Sequence, residues 1–187
     1  LPKKKIKIFA LYNKTKPAKI KNVKFLKSDI KKLKKIPNNI DCLIHLAVKN
    51  PENTRGRKLY RENVECTKKI FTLAKKNNIK KIIFFSSIAV YEKLKEKLIN
   101  ENIIIKKPQS YYAMSKFEGE ELLKKLFNKS NVSTFIIRLP SIIGPGSRFN
   151  AISDIKEKIS KGEKIFIKNP DVKYNRVIYI ETLNKFI

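Results

Sequence analysis

Apolar residues in this chain come in short runs separated by lysine-rich stretches, and the spacing of the runs changes along its length. Ile6–Tyr12, Asn22–Leu26 and Asp41–Ala47 read as strands, with Ile30–Ile36 as a short helical link between the last two. Arg57–Asn77 places Val64, Ile70, Phe71, Leu73 and Ala74 near helical spacing and predicts a helix. Lys80–Ser86 holds the unbroken run Ile82-Ile83-Phe84-Phe85, as expected of a strand buried on both faces of a parallel sheet. A charged connection, Glu92–Lys107, leads to a second long helix, Tyr111–Asn128, with Leu122, Leu123, Leu126 and Phe127 on its apolar side. Val132–Leu139 reads as another buried strand, Pro140–Gly146 as a loop, Ile152–Lys161 as a short helix, and Lys164–Ile167 and Arg176–Ile180 as strands. Alternating strands and helices predict an α/β fold built on a doubly wound parallel sheet.

At 187 residues and 42% hydrophobic content, the chain can bury one domain-sized core. No run approaches the roughly 18 apolar residues of a membrane span, and Lys7 breaks the only apolar run near the basic N-terminus, so no signal peptide is visible. The expected compartment is the cytoplasm, without membrane partners. Cys42 and Cys66 have neither metal-ligand spacing nor the makings of a disulfide framework, and no metal site is expected. The net charge of +28 raises nucleic acid as a partner. Against it, only six of the 44 basic residues are arginine (Arg55, Arg57, Arg61, Arg138, Arg148, Arg176), and the lysines run through the whole chain. A solvated lysine surface is the expectation, and nucleic acid is not an expected partner.

The candidate chemistry lies in the middle of the chain. Tyr112 and Lys116, four apart, fall on one helix face, where the ammonium lowers the phenol's pKa from about 10. Ser87, 25 residues upstream at the end of the apolar strand, is placed to hydrogen-bond the same reacting oxygen. The trio suits proton transfer at a sugar or alcohol hydroxyl beside a hydride carrier. A bare Tyr-x-x-x-Lys is weak in so lysine-rich a chain; the order around it is specific. Ser86-Ser87-Ile88-Ala89-Val90-Tyr91 is followed by Pro108, Ser110, Tyr112, Ser115-Lys116 and Glu118 or Glu120. From about residue 5 to residue 187 the chain resembles the extended short-chain dehydrogenase/reductase family, in particular its NAD-dependent sugar-nucleotide epimerases and dehydratases.

The resemblance implies a Rossmann-like sheet in which Ile6–Tyr12 corresponds to the family's second strand. The five glycines all lie at residue 56 or beyond, so the glycine-rich turn that meets a dinucleotide's diphosphate is not in this sequence. Residues 1–144 are expected to be an NAD(P)-binding domain without its first strand and loop, and residues 145–187 the start of a substrate-binding portion. A partial sequence is the expectation, and a homologue that has lost these parts the alternative.

The resemblance makes Tyr112 the general acid/base, Lys116 its tuner and a ligand of the nicotinamide ribose, and Ser87 the residue orienting the substrate oxygen. It assigns to the cofactor Asp29 and Ile30 (adenine), Leu46, Ala47 and Val48 (backbone), Asn63, Ser86, Tyr112, Lys116 and Pro140. Asp29 equally suits a helix N-cap. Substrate contacts fall to Ser87, Tyr112 and Ser141. Ser141 stands where the family has asparagine, Ile143 where it has tyrosine, Glu92 where it usually has glycine after Tyr91, and Cys66 where it has glycine. His45 reads as a packed strand residue. The second strand ends in Leu11-Tyr12-Asn13-Lys14, with no acid for an NAD ribose, and Lys14 or Lys16 would suit a 2′-phosphate, so NAD and NADP both stay open. The implied function is NAD(P)-dependent epimerisation or dehydration of a nucleotide sugar by hydride transfer, in a homodimer paired through the two long helices. The alternatives are an NADP-dependent reductase of a non-nucleotide carbonyl and a non-catalytic nucleotide-binding remnant.

Overall fold

The computed structural model describes residues 6–51, 55–92, 99–147, 150–167, 170–171 and 176–187. Among these, every strand pairing is parallel. β1 (Ile8–Tyr12) pairs with β2 (Val23–Lys27), and β6 (Ser141–Ile143) with β7 (Val177–Tyr179). Between them in sequence lies a three-stranded sheet of β3 (Cys42–His45), β4 (Lys81–Ser87) and β5 (Ser133–Leu139), with β4 in the middle. Parallel neighbours require a crossover, and two long helices supply it: α1 (Gly56–Lys76) from β3 to β4, and α2 (Tyr111–Phe127) from β4 to β5. α3 (Ala151–Ser160) and α4 (Ile180–Phe186) follow.

The core forms where the two helices meet alternate residues of β4. Ile82 and Phe84 are buried against Ile70, Phe71 and Ala74 of α1 and Leu123 and Phe127 of α2. Phe71 meets Phe84 edge-on with ring centroids 5.6 Å apart, a favoured aromatic geometry. The opposite face of the sheet is more open: Ile44 is 47% and Phe135 50% exposed.

Five expectations change. The strands stand in three parallel sheets rather than one among the described residues. The link expected over Ile30–Ile36 is a single 3-10 turn, Ile30–Lys32, because Asp29 caps it and Leu33 is already extended, with Pro37 disfavouring helix at Ile36. Lys164–Ile167 is not a strand; its backbone has no ladder partner among the described residues, and Phe166 is 84% exposed. The loop expected over Pro140–Gly146 contains β6, and the strand expected to end at Ile180 stops at Tyr179, where α4 begins. A three-residue strand such as β6, set between proline and glycine, leaves almost no periodic signal. Residues 93–98 of the charged connection lie outside the described residues.

Gly119 allows α2 to approach β4 closely. A Cβ there would lie 2.6 Å from Cζ and 2.9 Å from Cε1 of Phe84, whose ring is pinned by Phe71 and His45. Gly119→Ala should therefore destabilise by about 1–3 kcal/mol although alanine is the better helix former. Thermal unfolding checks it: an unchanged or raised melting temperature would show that α2 has slack over β4.

Candidate active site

The candidate site lies where β4 ends and α2 begins. Ser87, the last residue of β4, caps a 3-10 turn (Ile88–Tyr91), its Oγ accepting from the Ala89 N–H at 3.2 Å. Ser110 caps α2, its Oγ accepting from the Ala113 N–H at 3.3 Å. The two starts are tied together by Glu92, whose Oε1 accepts from the Gln109 and Ser110 N–H groups, the latter at 2.8 Å. A carboxylate there also complements the positive end of the α2 dipole. The residue that departs from the expected glycine thus helps to set the entry of the helix that carries Tyr112.

Tyr112, Lys116 and Glu120 recur every four residues along one side of α2. Lys116 is buried, and its Nζ donates to the Phe85 carbonyl at 2.7 Å and sits 5.3 Å from the Phe84 ring centroid. Burial pulls its pKa down to about 8, and the Glu120 carboxylate opposes that fall. Ser87, Tyr112 and Lys116 line one cleft of roughly 1600 Å³, together with Leu46, Val48, Pro140 and Ser141. Residues spread over nearly a hundred positions of sequence are thereby brought to the carboxyl ends of parallel strands, where open α/β sheets bind ligands.

The remaining expected residues are engaged in other ways. Ser86 reaches the cleft wall, but its hydroxyl donates to Glu120 Oε1 at 2.5 Å. Asn63 is off the cleft wall: its Oδ1 accepts from the Lys49 N–H at 2.8 Å, and its Nδ2 donates to the Lys49 carbonyl and to Ser115 Oγ, both at 3.2 Å. It thus clamps the segment after β3 to α2. Asp29 caps the turn after β2 by accepting from the Lys31 N–H at 2.9 Å, and Asp29, Ile30 and Ala47 do not line the cleft. His45 is packed, its Nε2 3.0 Å from Thr67 Oγ1 and its ring stacked on Phe84. The nicotinamide end of a dinucleotide would find its expected contacts in this cleft. Its diphosphate has no glycine-rich turn in the chain.

Two residues with no role assigned from sequence prove central. Arg138 on β5 grips Glu120 through Nε (3.0 and 3.2 Å) and Nη2 (2.7 Å), and its Nη1 donates to the Tyr91 hydroxyl at 2.6 Å. The i, i+4 step from Lys116 to Glu120 was the available signal; the arginine partner on a distant strand had none.

The sequence model of the NAD dependent epimerase/dehydratase family matches residues 1–176. A curated relative, the N-acetyl-alpha-D-glucosaminyl-diphospho-ditrans,octacis-undecaprenol 4-epimerase of Escherichia coli O157:H7, is 31% identical over 150 residues, which cover 79% of this chain and 44% of the relative. Among solved structures, the UDP-N-acetylglucosamine 4-epimerase from Methanobrevibacter ruminantium M1, in complex with UDP-N-acetylmuramic acid, superposes with a TM-score of 0.76 at 25% identity, over 88% of this chain and 56% of that one. The Bordetella bronchiseptica enzyme WbmH, in complex with NAD+, gives a TM-score of 0.78 at 18% identity, over 96% and 62%. The chain thus spans less than half of the curated relative and about three fifths of these structures. The shared fold is the Rossmann-like one expected from sequence.

Burial, and then the charge of Lys116, hold the His45 pKa down to about 3 from its usual 6.5. A depressed folded-state pKa means that the unfolded chain binds the proton first. The stabilising contribution is therefore complete above about pH 6.5 and is lost as pH falls toward 3, by at most ~1.4 kcal/mol per unit. His45→Gln should be less acid-sensitive, so the stability gap between wild type and variant should narrow from pH 6.5 to pH 4 in urea titrations. A gap that stays constant would mean that His45 is not held neutral by the fold.

Proposed function

The chain belongs to the NAD dependent epimerase/dehydratase family, and on that premise we propose that its protein epimerises or dehydrates a diphosphate-linked sugar with NAD or NADP as cofactor. The carrying observation is the convergence of Ser87, Tyr112 and Lys116 on one cleft. A bound nicotinamide dinucleotide supplies the acceptor and donor of hydride. Tyr112 takes the proton from the sugar hydroxyl as the carbon is oxidised and returns it on reduction. Lys116, a buried cation one helical turn along, favours the phenolate. Ser87 orients the reacting oxygen: its Oγ accepts from Ala89, which leaves the hydroxyl proton to donate. Tyr112, Lys116, Pro140, Leu46 and Val48 would hold the nicotinamide end, and Ser141 would face the sugar.

The M. ruminantium and E. coli relatives act on N-acetylglucosamine linked through diphosphate to uridine and to undecaprenol respectively. A nucleotide sugar is the proposed substrate; the 31% identity to the undecaprenol enzyme favours a lipid-linked sugar as the second reading. No helix among the described residues is long and apolar enough to cross a membrane. Free Cys42 and Cys66 fit the cytoplasm as compartment. We also propose a homodimer through α1 and α2. Tyr111 is the one exposed large apolar side chain on these helices among the described residues, so polar contacts would hold the dimer against strong mutual charge. In light scattering, its mass should rise toward the dimer as salt screens that repulsion; a monomer at all salt concentrations would overturn it.

The chemical reading is tested with the protein, NAD or NADP, and UDP-N-acetylglucosamine or its undecaprenyl-diphosphate counterpart, with sugar configuration read by NMR. Tyr112→Phe should lower turnover about 10²- to 10⁴-fold at an unchanged melting temperature. Turnover within a few-fold of wild type would remove Tyr112 from the chemistry.

A further inference from the structure

We infer that Glu120 is the positioning residue that keeps Lys116 charged, a buried carboxylate set four residues along the same helix face from the ammonium it supports. The inference rests on the proposed role of Lys116 for its catalytic consequence, but the charge state of Lys116 is a property of the fold alone. Glu120 is 1% exposed and fully occupied: it accepts from Ser86 Oγ at 2.5 Å and from Arg138 at 2.7–3.2 Å. Such a carboxylate holds its place without help from solvent.

Apart from Arg138, a cation, the other groups around Lys116 give it dipoles or no charge. β4 contributes the Phe85 carbonyl and the Phe84 ring. β3 contributes His45, which is neutral in the physiological range. α1 contributes Asn63 and Thr67, whose polar atoms are engaged with Lys49, Ser115 and His45. β5 contributes Arg138, a cation turned onto Glu120, and the 3-10 turn contributes Tyr91, bound to Arg138. On α2 itself, Tyr112 shares the cleft. Among the described residues, Glu120 is the one anion whose field bears on Lys116, and it acts against the burial that drives the ammonium toward its neutral form.

The balance sits close to working pH: with Glu120 in place, the Lys116 pKa is about 8. Without the carboxylate, burial acts unopposed, and Lys116 would lose its proton near neutrality. A neutral amine cannot stabilise a phenolate at Tyr112. Glu120 would then fix two things at once, the place of Ser86 beside the reacting serine and the charge beneath the tyrosine. Arg138 keeps this anion buried and paired.

The test is a titration of Lys116 by NMR in the ¹³Cε-lysine-labelled chain, its resonance assigned by its loss in Lys116→Met. In Glu120→Gln the Lys116 midpoint should fall so that its acid constant rises about tenfold or more, whereas Glu120→Asp should stay near wild type. With active protein, the alkaline limb of the pH–rate profile should move down with it. A purely structural Glu120 would lower stability and scale activity evenly, leaving both midpoints in place, and that result in folded Glu120→Gln overturns the inference. Should Glu120→Gln fail to fold because Arg138 is orphaned, Glu120→Gln with Arg138→Met removes both charges, and a smaller fall in the Lys116 midpoint is expected, because the neighbouring cation goes with the anion. A fall of the Lys116 midpoint in Glu120→Gln, in a protein whose wild type turns over no sugar, supports this inference and overturns the proposed function.

Discussion

A strand that is hydrogen-bonded on both sides and covered by helices can send a polar side chain only to another buried polar group. β4 meets that constraint at its carboxyl end, where the apolar series Ile82, Phe84 gives way to Ser86. Ser86 finds Glu120, Glu120 needs a cation, and Arg138 on the adjacent strand provides it and passes the network on to Tyr91. Breaking a buried pair of this kind by deleting one partner typically costs about 3–5 kcal/mol, because the survivor is left charged and unpaired. The network therefore sets β4, β5, α2 and the turn after β4 against one another as a unit.

The placement of the candidate chemical groups follows from that unit. α2 lies close over β4 because Gly119 presents no Cβ to the Phe84 ring, and this closeness brings Lys116 onto the Phe85 carbonyl. Ser87 and Tyr112 are each located at a capped start, one of a 3-10 turn and one of a helix, and Glu92 bridges the two. Asn63 adds a third tie, from the segment after β3 to Ser115 on α2. The geometry is held from beneath by apolar packing and from the sides by backbone-directed hydrogen bonds, leaving the cleft side for a ligand.

Much of this was legible in the residues. The long helices and the central strand β4 showed in the residue pattern, a repeat of 3.6 in the one and an apolar run in the other, whereas β5, expected to be buried, has no buried residue. The Ser-Ser end of β4 and the Tyr-x-x-x-Lys of α2 were legible as chemistry because their order is constrained even where lysine is abundant. β6 and α4 were illegible, since elements of three and seven residues carry too few positions to show a period. Lys164–Ile167 misled in the other direction: an apolar run is a strand only when another backbone lies beside it to accept its hydrogen bonds. Among the expected cofactor residues, Asp29 caps a turn, the use its local pattern already offered, and Ser86 gives its hydroxyl to Glu120, a use that no local pattern discloses.

The sequence by itself determined the alternation of strands and helices, and that Tyr112 and Lys116 share one helix face, because these depend on local period and residue type; that Ser87 joins them at one cleft was implied by the family resemblance and is brought about by the packing of β4 against α2. Tertiary structure alone decided the charge state at the site. Whether Lys116 sits in water or under a strand, whether Glu120 is solvated or gripped by an arginine 18 residues away, and whether His45 can hold a proton are questions of distance and burial. Electrostatic energies in a protein interior vary with both far more steeply than any sequence spacing can record.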